Sequence, residues 1–256
     1  MTLPSPPEPG GLQPPHPPLT RYYSTEQDRR AFVVGLFNRT ASDYERIETL
    51  LSFGTGRWYR RQALLRAGLK RDMRLVDVGV GTGLVARAAA AIVGRPECVT
   101  GVDPSSSMLE HAQVPKGVRL LTGSAESLPL DDDSADFISM GYALRHISDL
   151  TAAFREFRRV LRPGGRLCLL EISAPRGAFA RGVLKLYLRI LSPAAASVVA
   201  RQRDMPQLMR YYWDTIEACV PPEMILAALS AAGFRQVQRH AELGIFSEYT
   251  AANSAI

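Results

Sequence analysis

The sequence predicts an α/β domain built on a mostly parallel sheet whose crossover connections are helices. Three observations carry that expectation. After Arg71, short apolar runs alternate with segments of helical periodicity, the pattern of strand–helix–strand units. The first of these runs, Leu75–Val78, enters a turn with glycine at 79, 81 and 83 and continues as an apolar helix. Further on, Arg162-Pro163-Gly164-Gly165 ends one helix and introduces another apolar strand. At 256 residues the chain is long enough to bury such a core. A content of 46% hydrophobic and 22% charged residues excludes a wholly disordered, collagen-like or mucin-like chain.

Residues 1–20 hold eight of the 18 prolines and a single charge, Glu8. Proline fixes φ and removes a donor, so this segment reads as an extended, disordered tail, or else as a proline-rich ligand for a partner. Residues 21–256 read as one domain. From Arg29 to Gly68 the spacing is helical, with Phe32, Leu36 and Phe37, then Ile47, Leu50 and Leu51, on common faces. Ser52-Phe53-Gly54-Thr55-Gly56 interrupts it, and a second helix runs through Trp58, Leu64 and Leu65; together, 29–70 form a helical cap. Strands follow at Leu75–Val78, Cys98–Val102, Val118–Leu121, Phe137–Met140 and Leu167–Ile172, with helices at Leu84–Val93, Ser105–Ala112 and Thr151–Leu161. Residues 174–220 interrupt the alternation with basic, partly amphipathic helix. A last helix, Pro222–Ala232, precedes strands at Arg235–His240 and Gly244–Thr250, and no internal repeat is visible.

Cys98, Cys168 and Cys219 lie far apart, which argues against a zinc site or a disulfide framework. Cys98 and Cys168 sit in apolar runs and read as core thiols in a reducing, cytoplasmic compartment. No histidines and carboxylates share metal spacing, so no metal is expected. No uncharged apolar run reaches the roughly 18 residues of a membrane span, and the N-terminus lacks the pattern of a secretory signal. The formal charge is +6, from 31 basic and 25 acidic residues, and suggests an anionic partner. Residues 176–210 account for it: seven cations face Asp204 alone. Arg181, Lys185 and Arg189 share one stripe there, with Phe179, Val183, Leu186, Tyr187 and Ile190 mostly opposite. Such a helix serves either as a lid, its apolar side over a substrate, or as a peripheral contact with an anionic membrane. Arg155, Arg158, Arg159 and Arg162 read as a solvated face; without interleaved aromatics, no nucleic acid is expected.

The sharpest signal is Asp77-Val78-Gly79-Val80-Gly81-Thr82-Gly83. Glycines permit a tight turn and close approach of a ligand to the backbone, and the following helix N-terminus favours negative groups. A phosphate loop would need a GK[ST] ending, which is absent, and a dinucleotide fingerprint would read GxGxxG rather than GxGxG. The Asp77 carboxylate can accept a bond from an ammonium group or from water beside a bound amino acid, which suits S-adenosylmethionine better than a pyrophosphate. An ordinary glycine-rich turn remains the plainer alternative. Asp103, ending the second strand, can accept bonds from both ribose hydroxyls, or cap the helix opened by Pro104 and Ser105-Ser106-Ser107. After the third strand, Gly123-Ser124-Ala125-Glu126 offers a polar side chain and free amides to an adenine edge.

Together these features resemble a class I methyltransferase. Phe37-Asn38-x-x-Ala41-x-x-Tyr44, Leu51-Ser52-Phe53-Gly54, Arg57, Gly141-Tyr142-Ala143-Leu144-Arg145-His146-Ile147-Ser148-Asp149, Arg159–Leu167 and Glu171-Ile172-Ser173 narrow the likeness to the ubiquinone/menaquinone biosynthesis C-methyltransferases of the UbiE type, over about Phe32–Thr250. The resemblance implies a Rossmann-like fold: a seven-stranded, mostly parallel sheet with helices on both faces, an N-terminal helical cap and a helical lid insertion at 174–220. It implies S-adenosylmethionine as cofactor, with Gly79, Gly81, Thr82 and Gly83 at the methionine end, Asp103 at the ribose, Ser124 and Ala125 at the adenine, Gly141 beside the sulfonium, Tyr44 and Arg60 toward the carboxylate, and Met108 in the same set. Three departures stand out. Ser124 replaces the usual Asn or Asp, His146 follows Leu144-Arg145 in place of Asn, and Glu45 follows Tyr44 in place of Asp. The last two fall where substrate would lie.

The activity implied is C-methylation of a quinol or related aromatic small molecule. An aromatic carbon is a poor nucleophile until an adjacent hydroxyl ionises, so a base is needed. His146 is the candidate base, or else a polar residue capping the helix after Ser148; the resemblance implies that Arg145 stabilises the phenolate. His16 belongs to the tail, and His111 and His240 to the surface. The alternatives are O-, N- or C-methylation of another metabolite, and a non-catalytic cofactor-binding scaffold. A homodimer is left open.

Overall fold

The computed structural model describes residues 13–52 and 54–254. Residues 1–12 of the expected tail and Phe53 lie outside them. Helix α1 (Glu26–Leu51) starts at a capping box, in which the Thr25 hydroxyl accepts from the Asp28 amide and the Asp28 carboxylate accepts from the Thr25 amide. Helix α2 (Gly56–Arg66) follows. The sheet then alternates β1 (Leu75–Val78), α3 (Leu84–Val93), β2 (Val99–Asp103), α4 (Ser106–Glu110), β3 (Arg119–Thr122), β4 (Ala135–Gly141), α5 (Leu150–Val160) and β5 (Leu161–Ile172). The insertion carries α6 (Ala178–Leu186), a π-helical turn (Tyr187–Leu191), α7 (Ser192–Val199) and α8 (Met205–Ala218). Helix α9 (Pro222–Ala231) and the hairpin β6 (Phe234–Glu242) and β7 (Phe246–Asn253) finish the chain.

The seven strands lie in the order β3-β2-β1-β4-β5-β7-β6, parallel except where β7 runs against both its neighbours. Every residue of β1, and of β4 as far as Met140, is buried, as expected for central parallel strands covered on both faces. On one face, Phe154 and Phe157 of α5 and Leu229 of α9 pack on Val76, Ile138 and Leu169. On the other, Leu64 of α2 and Ala86, Ala89 and Val93 of α3 pack on Leu75, Phe137 and Cys168. A separate cluster joins Leu36 and Ile47 of α1 to Ala196, Leu208 and Tyr211 of α7 and α8.

Three local expectations are corrected. Residues 13–20 are not a loose tail: the Gln13 carbonyl accepts from the Leu150 amide (2.9 Å), the Pro15 carbonyl accepts from the Val220 amide (2.8 Å), and His16 is buried. Proline removes a donor but leaves the carbonyl free to accept, so a proline-rich strand can still dock. Cys98 is half-buried at the end of a 3₁₀ turn, whereas Cys168 is fully buried. Finally, Arg162-Pro163-Gly164-Gly165 lies within the span of β5, looping out between the pairs Ala135–Leu161 and Phe137–Arg166, with Gly164 at φ +79°.

Candidate active site

A cleft of about 1120 Å³ opens at the carboxyl ends of β1, β2 and β4. The strand order reverses there, since the chain continues outward from β1 to β2 and returns to β4 on its other side. Gly79, Gly81 and Gly83 have φ of +68°, +53° and +93°, left-handed values that make this turn a glycine turn. The amides of Gly79 and Val80 donate to the Val102 carbonyl (2.8 and 3.1 Å), and that of Gly83 to the Val80 carbonyl (2.9 Å). A Cβ at Gly79 would lie 2.6 Å from that of Ala143, while at Gly81 it would meet no atom within 4 Å, only the open cleft.

The expected cofactor residues converge on this cleft. Tyr44, Arg60, Gly79, Gly81, Thr82, Asp103, Met108, Ser124, Ala125 and Gly141 line it; Gly83 forms the turn behind it, and Asp77 lies beneath. Asp103 receives the amides of Gly81 and Ser105 (both 2.8 Å), one on each carboxyl oxygen, and burial pushes its pKa up to about 6. The neighbouring cap is Ser105, whose hydroxyl accepts from the Met108 amide and donates to Asn38 of α1 (2.6 Å). Asp77 accepts from the Ser139 hydroxyl (2.8 Å) through one oxygen, while its other oxygen is buried without a hydrogen bond. Burial raises its pKa to about 7. Arg60 donates to Glu48 (2.5 Å), and its Nε is buried and unpartnered, as is the Thr82 hydroxyl. An open cradle at Gly81, a carboxylate at the ribose position and spare polar atoms at the methionine end fit S-adenosylmethionine.

The other half of the cleft is apolar. Val33, Val34 and Phe37 of α1 line it with His146, which ends the 3₁₀ turn Leu144–His146 after β4, and with Ile147 and Arg30. The His146 ring stacks on Tyr211 (5.5 Å) and Tyr212 (5.9 Å) and meets the edge of Phe37 (5.2 Å). Both of its ring nitrogens are buried without hydrogen bonds. Burial, with the positive charge of Arg145 adding to it, holds its pKa well below 6.5, so the imidazole is neutral at neutral pH. It does not cap α5, whose first turn is held by Asp149 accepting from Thr151.

Arg145 is placed differently from the expectation. It does not line the cleft. Its guanidinium, fully buried, donates to Glu171 (2.8 Å) and to the Thr215 hydroxyl (2.6 Å), and stands 5.7 Å from the Tyr212 ring centre. Its carbonyl accepts from Arg29 (2.9 Å) and lies 3.1 Å from Nε2 of His16. Glu45 also misses the cleft, spent in a two-pronged pair with Arg87 of α3 (2.8 and 2.9 Å). No residue of 174–220 lines the cleft, so α6 and α7 are not a lid resting on it; the insertion reaches the site through Tyr212, whose hydroxyl donates to that of Tyr44 (3.0 Å). Tyr142 was not singled out as a site residue. It lines the cleft at φ +60°, unusual for tyrosine, with the Arg60 guanidinium 5.6 Å from its ring centre.

A model of the ubiE/COQ5 methyltransferase family matches residues 23–252. The chain belongs to this family. A ubiquinone/menaquinone biosynthesis C-methyltransferase UbiE of Syntrophotalea carbinolica is 35% identical over 92% of this chain and 98% of its own length. The protein of the same name from Shewanella woodyi is 30% identical over 85% and 88%. Among solved structures, a methyltransferase of Thermotoga maritima described as a possible histamine N-methyltransferase superposes with a TM-score of 0.60. That match covers 86% of this chain and 99% of the other at 24% identity, a likeness of fold. This ubiE/COQ5 family member is thus an S-adenosylmethionine-dependent methyltransferase.

Proposed function

We infer that this enzyme methylates a ring carbon of a quinol or a closely related aromatic. The observation that carries the reading is the composition of the cleft: the cofactor half continues directly into an apolar, aromatic half made by Val33, Val34, Phe37, Ile147 and His146. That half suits a flat, hydrophobic acceptor with few polar groups. The family relatives in Syntrophotalea carbinolica and Shewanella woodyi carry the name of a ubiquinone/menaquinone biosynthesis C-methyltransferase, which agrees.

When bound, S-adenosylmethionine supplies a methyl group on a positively charged sulfur. The chain's part is to orient the acceptor and manage one proton. α1 and the 3₁₀ turn would hold the flat acceptor against the cofactor half of the cleft. His146, neutral, accepts the acceptor's hydroxyl proton as the ring becomes nucleophilic. A phenolate formed beside it offsets the burial that otherwise disfavours an imidazolium. The ring must turn for a nitrogen to reach the cleft. Arg145 acts from behind, as a positioning residue that ties the His146 turn to β5 and α8. Once the carbon–methyl bond has formed and the sulfur has left as a neutral thioether, the ring proton goes to water and the ring oxygen takes back the proton held on His146, so one proton is released per methyl transferred. Activity is placed in the cytoplasm, with peripheral contact between residues 176–210 and an anionic membrane, because a quinol with an isoprenoid tail stays in the bilayer.

The test is transfer of labelled methyl from S-adenosylmethionine to a short-tailed quinol that has a free ring position, with the product identified by mass spectrometry. A new carbon–methyl bond is expected. Methyl on oxygen or nitrogen, or no transfer at all, overturns the reading.

A further inference from the structure

In the insertion, two cations of the expected basic stripe turn to α8, and the apolar side faces outward. Lys185 lies 3.6 Å from Glu217, and Arg189 lies 3.0 Å from Asp214, both carboxylates on α8. These two cations of the expected basic stripe are therefore already neutralised. Leu184, Leu188, Ser192 and Ala196 form the inward row, with Leu188 packed beside Trp213 and Ile216. The outward row is Phe179, Val183, Leu186 and Ile190, at spacings of four, three and four, and continues to Val198. Phe179 and Val198 are 87% and 86% exposed. By the rise of a helix the row runs for roughly 28 Å. The helix Ala178–Val199 is, by length and composition, apolar enough to cross a bilayer, a property that the sequence expectation did not include. Its inward row is nonetheless spent on α1 and α8, so it is built to lie on a surface rather than to span one.

Charge selects the surface. From Arg176 to Arg203 there is no acidic residue. Arg181 beside the apolar row, and Arg201 and Arg203 beyond its end, are exposed and have no ion pair among the described residues. A second copy packed on the same face would bring the same unpaired arginines, with no carboxylate among its residues 176–203 to meet them. An anionic lipid surface meets both features at once, apolar side chains entering the acyl boundary and arginines meeting the headgroups.

We propose that α6 and α7 form a membrane-docking face, with Phe179, Val183, Leu186 and Ile190 inserted among the lipids and Arg181, Arg201 and Arg203 on their headgroups. This deepens the peripheral contact proposed above by naming the face and making insertion, not adsorption through Lys185 and Arg189, the main attachment. The experiment is sedimentation of the full chain with vesicles of phosphatidylcholine alone or with about a third phosphatidylglycerol. Binding to the anionic vesicles is expected, in part surviving high salt, and falling about tenfold or more in Phe179→Ser/Ile190→Ser. Lys185→Gln is expected to bind as the wild type does. Both serines replace exposed side chains, so that variant should keep its melting temperature, its affinity for S-adenosylmethionine and its transfer to a water-soluble acceptor. Absence of vesicle binding, or binding indifferent to the double substitution, overturns the proposal; so does a wild-type dimer that the substitution splits. Vesicle binding without transfer to a quinol would sink the acceptor reading and leave this one standing.

Discussion

Asp77 holds a carboxyl that burial keeps half-protonated near neutrality, with its pKa at about 7, and one of its oxygens has no hydrogen bond. A cationic ammonium bound nearby favours the ionised form, so binding below pH 7 must expel a proton. Asp103, held at about 6 by burial, would act in the same direction at lower pH, with ribose hydroxyls donating to its ionised form. Affinity for S-adenosylmethionine is therefore expected to weaken as pH falls from 8 to 6, by up to about tenfold per unit once below a carboxyl's pKa. Calorimetry across that range should show the slope, and Asp77→Asn should flatten it above pH 6.5 while weakening binding at pH 8. A slope that persists in Asp77→Asn would take that residue out of the cofactor site. With His146 proposed to act at the acceptor end, His146→Ala should lower turnover by about 10²-fold or more and leave the cofactor dissociation constant within about threefold. Equal losses in both would mark it as a cofactor residue, and unchanged turnover would remove it from the proton transfer.

At the scale of elements, Arg145 joins the turn after β4 to β5 through Glu171 and to α8 through Thr215. Removing one partner of a buried ion pair leaves the other charge stranded. Arg145→Met is accordingly expected to cost about 3–5 kcal/mol in chemical denaturation, and Glu171→Leu added to it should recover much of that loss. A cost under about 1 kcal/mol would mean that the pair holds nothing in place. Such a pin is hard to read from sequence, which shows that position 145 is cationic but not that its partner is 26 residues away on the next strand. The same limit explains Lys185 and Arg189, whose stripe was visible while the α8 carboxylates that cancel it were not. By contrast, β1, the glycine turn and α3 were legible almost to the residue, because left-handed φ values narrow the choice of residue before any tertiary contact matters. Asp103 was legible for a related reason, since a strand end fixes where its side chain can be. The left-handed Tyr142 has no local signature, and the docking of residues 13–16 depends on carbonyls, which every residue carries.

For the whole molecule, the cleft draws on helices and sheet alike: Tyr44 and Arg60 from α1 and α2, the turn after β1, Asp103 from β2, the loop after β3, and Gly141 from β4. A ligand that touches all of these binds only the assembled fold, so its binding energy becomes folding stability. At about one hundred times the dissociation constant this adds roughly 2.7 kcal/mol. A chain of this size gains about 2–4 °C per kcal/mol, so S-adenosylmethionine should raise the melting temperature by about 5–10 °C. Gly81→Val is the decisive control. Its Cβ would project into the open cleft proposed to hold the cofactor, at a φ of +53° that disfavours a branched side chain. The strain should lower the ligand-free melting temperature by the equivalent of about 1–2 kcal/mol, and the shift on adding cofactor should vanish. The two effects are separable in one experiment, because a variant that is merely less stable would still respond to ligand. A full shift in Gly81→Val would place the cofactor away from the glycine turn and undo the assignment of every residue around it.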